Sequence, residues 1–277
     1  MCGGTEVVRA DPATGATERT FPIQGWGPNE WGGNGIVVGG GKVWVPGREN
    51  GQATIVRIDP LTDRADVLKP AAETIGYLTF GSDGMLWANI GRDHGKAIAQ
   101  IDPATGEITR TWRYTADWAQ EICEAQDTVW VHEMSTSNST VHGGWLSQVV
   151  PGTAPPVETG GTFAGPVCST DAVWTAIHGD ENSVNLANGI AQVDPATGLV
   201  VGSWSTPPIG YDIALDGDGG VWFITAGSGN VERLDPSTGD IDATETMTGT
   251  PIFISVTVDE IWVGTYEGRL FRFDLAH

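Results

Sequence analysis

The chain has 277 residues, of which 40% are hydrophobic, so it is long enough to bury one large core. Its 35 acidic against 14 basic residues give a net charge of −21, which argues against nucleic acid and anionic membrane surfaces as partners. The apolar runs are too short to cross a bilayer and no apolar leader follows Met1, so we expect neither a transmembrane segment nor a signal peptide in this sequence.

The first residues carry a separate signal. Cys2 followed by Gly3 and Gly4 resembles the mature end of a bacterial lipoprotein, in which the cysteine would carry a lipid anchor. An arbitrary start of the sequence is the alternative. The first interpretation favours a secreted, periplasmic or cell-surface protein, and a cytoplasmic location stays open.

Short strand-like runs then follow one another in a fixed order, which we name a to d from the inside outward. The chain starts on c (Val7 to Ala10) and d (Glu18 to Ile23), and it ends on a, b and c between Ile252 and Leu275. Turn residues separate the runs, and apolar and polar residues alternate within them, which is typical of half-buried strands. The tally is six a, six b, seven c and six d strands.

A tryptophan marks every strand b, and the intervals between successive copies are 40 to 48 residues. A period in the forties, with only short strands, is typical of a β-propeller. We predict that the six rings occupy equivalent positions and pack between neighbouring blades. They are Trp44, Trp87, Trp130, Trp174, Trp222 and Trp262.

A second motif, Asp-Pro-x-Thr-Gly or a close variant, follows most c strands in phase with the tryptophans. Pro presets φ, Asp and Thr side chains can bond the turn backbone, and Gly accepts a positive φ. We interpret the aspartates as turn formers and not as ligands. They are Asp11, Asp59, Asp102, Asp194 and Asp235.

These repeats predict an all-β fold, a single β-propeller domain over residues 1–277. Six four-stranded blades are the economical count, and seven are the alternative. Pairing of the N-terminal d strand with the C-terminal strands would close the ring and remove an open sheet edge.

Two cysteines, Cys123 and Cys168, lie seven and six residues before Trp130 and Trp174, on the inner strands of neighbouring blades. We expect two buried free thiols there. A disulfide between the blades is the alternative.

Function is expected where the b–c and d–a loops gather, because long loops on a rigid scaffold carry binding and catalytic residues. The longest b–c loops are 133–145 and 178–188. If the protein is an enzyme, we predict His132, Glu133 and His178 as catalytic residues. Glu133, Asp180 and Glu181 would then hold magnesium or calcium.

Other residues near these loops are predicted to contact a ligand, since aromatic rings beside carboxylates suit a cation or a sugar. They are Arg48, Glu49, Arg92, Asp93, His94, Trp118, Tyr211 and Tyr266.

The composite repeat, with its clearest copy at Ile209 to Phe223, resembles the streptogramin B lyase (virginiamycin B lyase) group and the related YVTN, NHL and SMP-30-like propellers. The resemblance covers almost the whole chain and implies the propeller fold. For the lyases it also implies opening of a cyclic depsipeptide with a His base and carboxylate-held magnesium. This chain departs from them, because Trp222-Phe223-Ile224-Thr225 stands where the lyases have Trp-Phe-Thr-Glu, and because the lyases have seven blades.

Two functions therefore follow from the sequence. We favour a non-catalytic propeller that binds a small molecule or a partner through its b–c and d–a loop face. The alternative is a metal-dependent lyase or hydrolase with its site at the channel mouth.

Overall fold

A computed structural model describes residues 6–23, 35–91, 97–114, 118–137, 140–150, 152–160, 164–179 and 187–275. The chain divides into two compact units, Met1–Thr115 (unit 1) and Ala116–His277 (unit 2). All regular secondary structure in the described ranges is β-strand. The described residues include no helix that could span a membrane.

Unit 1 consists of three antiparallel sheets whose strands follow one another in chain order: a hairpin of β1 and β2, then two four-stranded sheets, β3 to β6 and β7 to β10. The strands are β1 (Glu6–Ala10), β2 (Thr17–Pro22), β3 (Val37–Gly39), β4 (Lys42–Glu49), β5 (Gln52–Asp59), β6 (Arg64–Leu68), β7 (Ile75–Phe80), β8 (Leu86–Ile90), β9 (Ala97–Ile101) and β10 (Ile108–Arg113).

Unit 2 contains three four-stranded sheets, β11 to β14, β15 to β18 and β19 to β22, and a three-stranded sheet, β23 to β25. The strands are β11 (Trp118–Ala125), β12 (Thr128–Ser137), β13 (Thr140–Val150), β14 (Val157–Glu158), β15 (Val167–Cys168), β16 (Val173–Ile177), β17 (Gly189–Val193), β18 (Val200–Ser205), β19 (Ile209–Leu215), β20 (Val221–Thr225), β21 (Val231–Asp235), β22 (Asp240–Glu245), β23 (Pro251–Val256), β24 (Glu260–Thr265) and β25 (Leu270–Asp274).

The described strands match the predicted tally: β3, β7, β11, β15, β19 and β23 are the a strands, and each starts a meander of the kind that forms a propeller blade. The prediction of an all-β propeller with six blades is confirmed. The pairing of the N-terminal and C-terminal strands concerns both units and stays a prediction.

The tryptophans of strand b lie where the repeat places them. Five of the six rings are buried and Trp262 is half-buried. Several indole N–H groups donate to the a–b turn of their own sheet, as Trp44 does to Gly39 O (2.9 Å) and Trp222 to Asp216 Oδ2 (3.1 Å). A buried indole needs such a partner, so these bonds let a polar ring occupy the core.

The Asp-Pro-x-Thr-Gly turns behave as interpreted. Asp194 Oδ1 accepts hydrogen bonds from the Ala196 and Thr197 amides at 3.0 and 2.8 Å, and the closing Gly198 has φ 72°. In the variant turn of β5 and β6, Asp63 takes the glycine position at φ 56°.

The expectation of free thiols is wrong, because a disulfide joins Cys123 on β11 to Cys168 on β15. Cys123 pairs with Trp130 in its ladder, but Val167 and not Cys168 pairs with Trp174, so the two cysteines are offset by one residue in register. Their Cα atoms are nevertheless 5.6 Å apart, within the range that a disulfide spans.

The long loop expected at 133–145 is also different. Most of it extends the β12–β13 hairpin, with Glu133 opposite Trp145 and Ser137 opposite Thr140. The β-branched Thr and Val residues of this stretch favour an extended ladder over an irregular loop.

Candidate functional site

Within unit 2, the b–c and d–a connections lie at the same end of each antiparallel meander. At this end of the β19–β22 sheet is a cleft of about 150 Å³, here called the Tyr211 cleft. Its described lining is Tyr211, Ile224, Thr225, Ala226, Gly227, Ser228, Gly229, Gly249, Thr250 and Pro251.

The b–c loop of the cleft, 226–229, is held by its own backbone. The Ala226 amide donates to Pro208 O (2.7 Å) and the Gly229 amide donates to Thr225 O (3.2 Å). Gly227 and Gly229 have φ of 82° and 70°, which glycine adopts without strain. The small side chains of this loop leave room for a ligand beside the Tyr211 ring, which is 48% exposed.

Thr225 places an unused polar group at the cleft. The residue is 6% exposed, and its Oγ1 is one of the few buried side-chain atoms among the described residues that lack a hydrogen-bond partner. A buried hydroxyl without a partner costs free energy, which a ligand or a water molecule that reached it would recover.

The described lining is uncharged, and the carboxylate that borders it is already engaged. Glu267 accepts hydrogen bonds from the Thr250 amide (3.0 Å) and the Thr250 hydroxyl (3.3 Å). The bond from the Thr250 amide is the main cause that holds the pKa of Glu267 below its usual value. Glu267 is therefore ionised, and its carboxylate holds Thr250 in place.

Elsewhere in unit 2, the inner strands bring two half-buried carboxyl groups together. Glu121 on β11 and Asp212 on β19 both lie in bulges, where the register shifts between Ala119 and Ile122 and between Ile209 and Ile213. Bulges re-aim side chains. The carboxyl group of Glu121 lies over Gly165, where an added Cβ would come within 1.9 Å of Oε2, so only glycine leaves it room.

Asp212 fixes the other half of this carboxyl pair. Its Oδ1 accepts from the Ile213 amide and its Oδ2 from the Ile254 amide, both at 2.9 Å, so it ties β19 to β23. Burial is the main cause that raises the pKa of Asp212 to about 7. Burial, and then the charge of Asp212, raise the pKa of Glu121 well above its usual value.

The raised pKa values make the free energy of unfolding depend on pH. Between the pKa of an unfolded carboxyl group, near 4, and about 7 for Asp212, the folded protein binds more protons than the unfolded chain. The contribution of the carboxyl pair to stability is therefore complete at low pH and is lost as the pH rises through about 7.

His132 lies on β12 with no exposed surface. Its Nε2 is 3.0 Å from Thr159 Oγ1 and its Nδ1 is 3.4 Å from Gln120 Oε1. Burial lowers the pKa of His132 to about 4, so the ring is neutral at pH 7. In this position His132 joins the sheet interior to Thr159, and the catalytic role assigned to it stays a prediction.

The other predicted catalytic residues lie on either side of this histidine. Glu133 is half-buried and pairs with Ala119 and Trp145 in the ladders of β12. The His178 amide donates to Thr159 O at 2.8 Å, so His178 and His132 contact the same residue.

The predicted ligand-binding residues separate into three groups. In unit 1, Arg48 and Glu49 end β4, where Arg48 Nη2 donates to Gly51 O (3.4 Å) and Glu49 forms an ion pair with Lys69 (2.6 Å). In unit 2, Tyr211 lines the cleft, and the Tyr266 amide donates to Thr250 O (2.8 Å). The third group, Arg92, Asp93, His94 and the side chain of Trp118, lies outside the described residues. So do Cys2, predicted to carry a lipid anchor, and the predicted metal ligands Asp180 and Glu181.

The described residues contain no group of three or more His, Cys, Asp and Glu side chains that could hold a metal ion. Of the three predicted metal ligands only Glu133 is described. The magnesium or calcium site stays a prediction.

Sequence reasoning did not assign Glu121, Gly165 or Thr225 to a site. The spacing of the repeat contains a signal for the first two, since Glu121 and Gly165 lie nine residues before their tryptophans and Asp212 lies ten before Trp222. The ladders confirm this equivalence, because the residue two positions after each one pairs with the tryptophan of its sheet. Thr225 gave no such signal, because its unpaired hydroxyl depends on packing.

No protein-family profile matches the chain, and no curated protein matches its sequence. Solved structures do match. Hydrazine synthase of Kuenenia stuttgartiensis has a TM-score of 0.76 at 12% identity over 99% of this chain and 90% of that one. Virginiamycin B lyase from Staphylococcus aureus has a TM-score of 0.56 at 18% identity, over 90% and 86% of the two chains. BamB from Moraxella catarrhalis has a TM-score of 0.54 at 11% identity, over 94% and 89%.

Identities this low show the fold and not the activity. The prediction of a streptogramin lyase-like β-propeller is confirmed at that level.

Proposed function

We propose that this protein is a non-catalytic β-propeller that binds a small molecule at the loop end of its unit 2 sheets. The observation that carries this proposal is the Tyr211 cleft with the buried, unpaired hydroxyl of Thr225 beside it. Ligand sites are concave and largely preformed, and this cleft, with a volume of about 150 Å³, is large enough for a small molecule only.

Two further features support binding at this place. The Tyr211 ring is 48% exposed and Tyr266, whose amide bonds to Thr250, is 58% exposed. Exposed tyrosines offer large contact areas at a small cost in conformational entropy. Hydrogen bonds of its own backbone hold the loop 226–229, so its ordering on binding should cost little entropy.

The disulfide supports a compartment outside the cytosol. Cys123–Cys168 would not persist in a reducing cytosol, so we propose that the protein works in the periplasm, at the cell surface or outside the cell.

A plug variant tests the binding proposal. Ala226 is exposed at the cleft, and Ala226→Trp would fill its entrance. Ala196→Trp is the matched control, because Ala196 is an exposed residue in a c–d turn of the same unit, at the other end of a sheet. The measurement is saturation-transfer NMR with a defined mixture of monosaccharides, amino acids, polyamines and dicarboxylic acids.

We expect signals with the wild type and with Ala196→Trp that disappear with Ala226→Trp. Signals that survive in Ala226→Trp would place the binding elsewhere. Absence of any signal with the wild type would contradict the proposal for these compound classes.

A further inference from the structure

We infer that the ligand of the Tyr211 cleft is an uncharged, hydroxyl-bearing small molecule with one apolar face, of which a monosaccharide ring is the model compound. The inference rests on the proposed function and specifies its ligand class. It is carried by the charge of the lining, by the chemistry of Thr225 and by the exposed ring of Tyr211.

The charge of the lining favours an uncharged ligand. All ten described lining residues are uncharged. A charged group that enters such a cleft loses hydration without gaining a counter-charge, which is costly. The protein's net charge of −21 adds a further penalty for an anion.

The charged residues that border the cleft are already paired with protein groups. Both carboxylate oxygens of Glu267 accept from Thr250, and the oxygens of Asp212 accept from the Ile213 and Ile254 amides. Arg269 donates to Thr248, one residue before the lining begins at Gly249. A cationic ligand would meet the Glu267 carboxylate at the edge of the cleft, so choline is the charged probe that tests this class most directly.

Hydrogen bonding favours a hydroxyl group. The Thr225 hydroxyl can donate one hydrogen bond and accept two. It makes none of these bonds inside the protein. A ligand hydroxyl can both donate and accept, so it suits this atom in either orientation. An apolar ligand would instead leave the threonine hydroxyl unpaired and would keep its desolvation cost.

Tyr211 supplies the apolar contact. Its ring is large, exposed and amphipathic, and one face of a sugar ring carries C–H groups that can pack on it. The glycine and alanine residues of the loop 226–229 allow this close approach.

The experiment compares matched probes by calorimetry and ligand-observed NMR. The neutral probes are the methyl glycosides of D-glucose, D-galactose and D-mannose, and the charged probes are choline and L-malate. We expect at least one glycoside to bind the wild type and Ala196→Trp, to lose binding in Ala226→Trp, and to bind at least tenfold more tightly than either charged probe.

Two pairs of variants identify the contacts. Thr225→Val keeps the shape and removes the hydroxyl, so it should weaken the glycoside about threefold to tenfold, the value of one neutral hydrogen bond. Tyr211→Phe should bind the glycoside like the wild type, whereas Tyr211→Ala should lose more than tenfold. Thr225→Val should melt no lower than the wild type, which separates lost binding from lost folding.

The negative results distinguish a wrong ligand class from a wrong binding site. If choline or malate binds and Ala226→Trp abolishes that binding, the cleft is a ligand site but the ligand class is wrong. If no glycoside binds the wild type, or if Thr225→Val and Tyr211→Ala bind it unchanged, the inference is overturned. If glycoside binding is the same in Ala226→Trp, both the inference and the placement of the site are wrong.

Discussion

Reduction of the Cys123–Cys168 disulfide should strongly destabilise the folded protein. The two cysteines are 45 residues apart in the sequence, and both lie in unit 2. When the bond is present, the unfolded chain carries a closed loop of that length and loses conformational entropy. Reduction returns that entropy to the unfolded state, and the folded state becomes less favourable by the same amount.

The magnitude follows from the loop length. In the chain-entropy relation, a loop of 45 residues corresponds to about 4 kcal/mol at 25 °C. With a urea dependence of about 3 kcal/mol/M, the unfolding midpoint should fall by roughly 1.3 M.

The assay is urea unfolding, followed by tryptophan fluorescence, of the oxidised and the reduced protein. A thiol titration in denaturant provides the starting point, since one of the three cysteines should react before reduction and all three after it. The variant Cys123→Ala/Cys168→Ala is the control, and its midpoint should not respond to reductant. Three reactive thiols in the untreated protein, or equal midpoints for its oxidised and reduced forms, would refute the reasoning.

Three other substitutions test the packing of the inner strands. Trp222→Ala should lower the free energy of unfolding by about 3–5 kcal/mol, measured by urea titration, because the ring is buried and its N–H is bonded to the a–b turn. Glu121→Gln should raise the melting temperature more at pH 8 than at pH 4, since it removes a half-buried charge beside Asp212 that forms only as the pH rises. Gly165→Ala should lower the melting temperature, and by less when Glu121→Ala is also present, because the added methyl group meets the Glu121 carboxyl group.

The sequence predicted the architecture because one tryptophan per repeat and one turn motif per hairpin are both local signals. The Asp194 turn illustrates this, since its bonds to Ala196 and Thr197 join residues two and three positions apart. The stretch after His132 was predicted as a loop because it is rich in Ser and Thr. In the structure this stretch pairs with β13 as a strand, and composition alone does not show which residues pair.

The site was less predictable because its groups come together through packing. Tyr211 was predicted, but the hydroxyl of Thr225 is significant only because it is buried and lacks a partner. The sequence favours free thiols and leaves a disulfide as the alternative, because the spacing gives the blade of each cysteine but not the distance between their Cα atoms. His132 was expected at a solvent-facing mouth, and the structure places it in the interior beside Thr159.

The disulfide and the buried His132 both lie at the contact between the sheets β11–β14 and β15–β18, where one inner strand is short. The inner strand β15 has two residues, whereas β11, β19 and β23 have eight, seven and six. A ladder this short gives few hydrogen bonds to hold the segment 164–168 in place. The segment 164–168 therefore depends on contacts outside its own ladder.

Several additional contacts join these two sheets, and three of them lie close to β15 or His132. The disulfide links β15 to β11, the Gly165 amide donates to the carboxyl group of Glu121, and the His178 amide donates to Thr159 O beside His132. Reduction removes the covalent contact, so the short strand should be the first part of unit 2 to open. Hydrogen exchange on the reduced protein should then be fastest, among the described a strands of unit 2, at Val167 and Cys168.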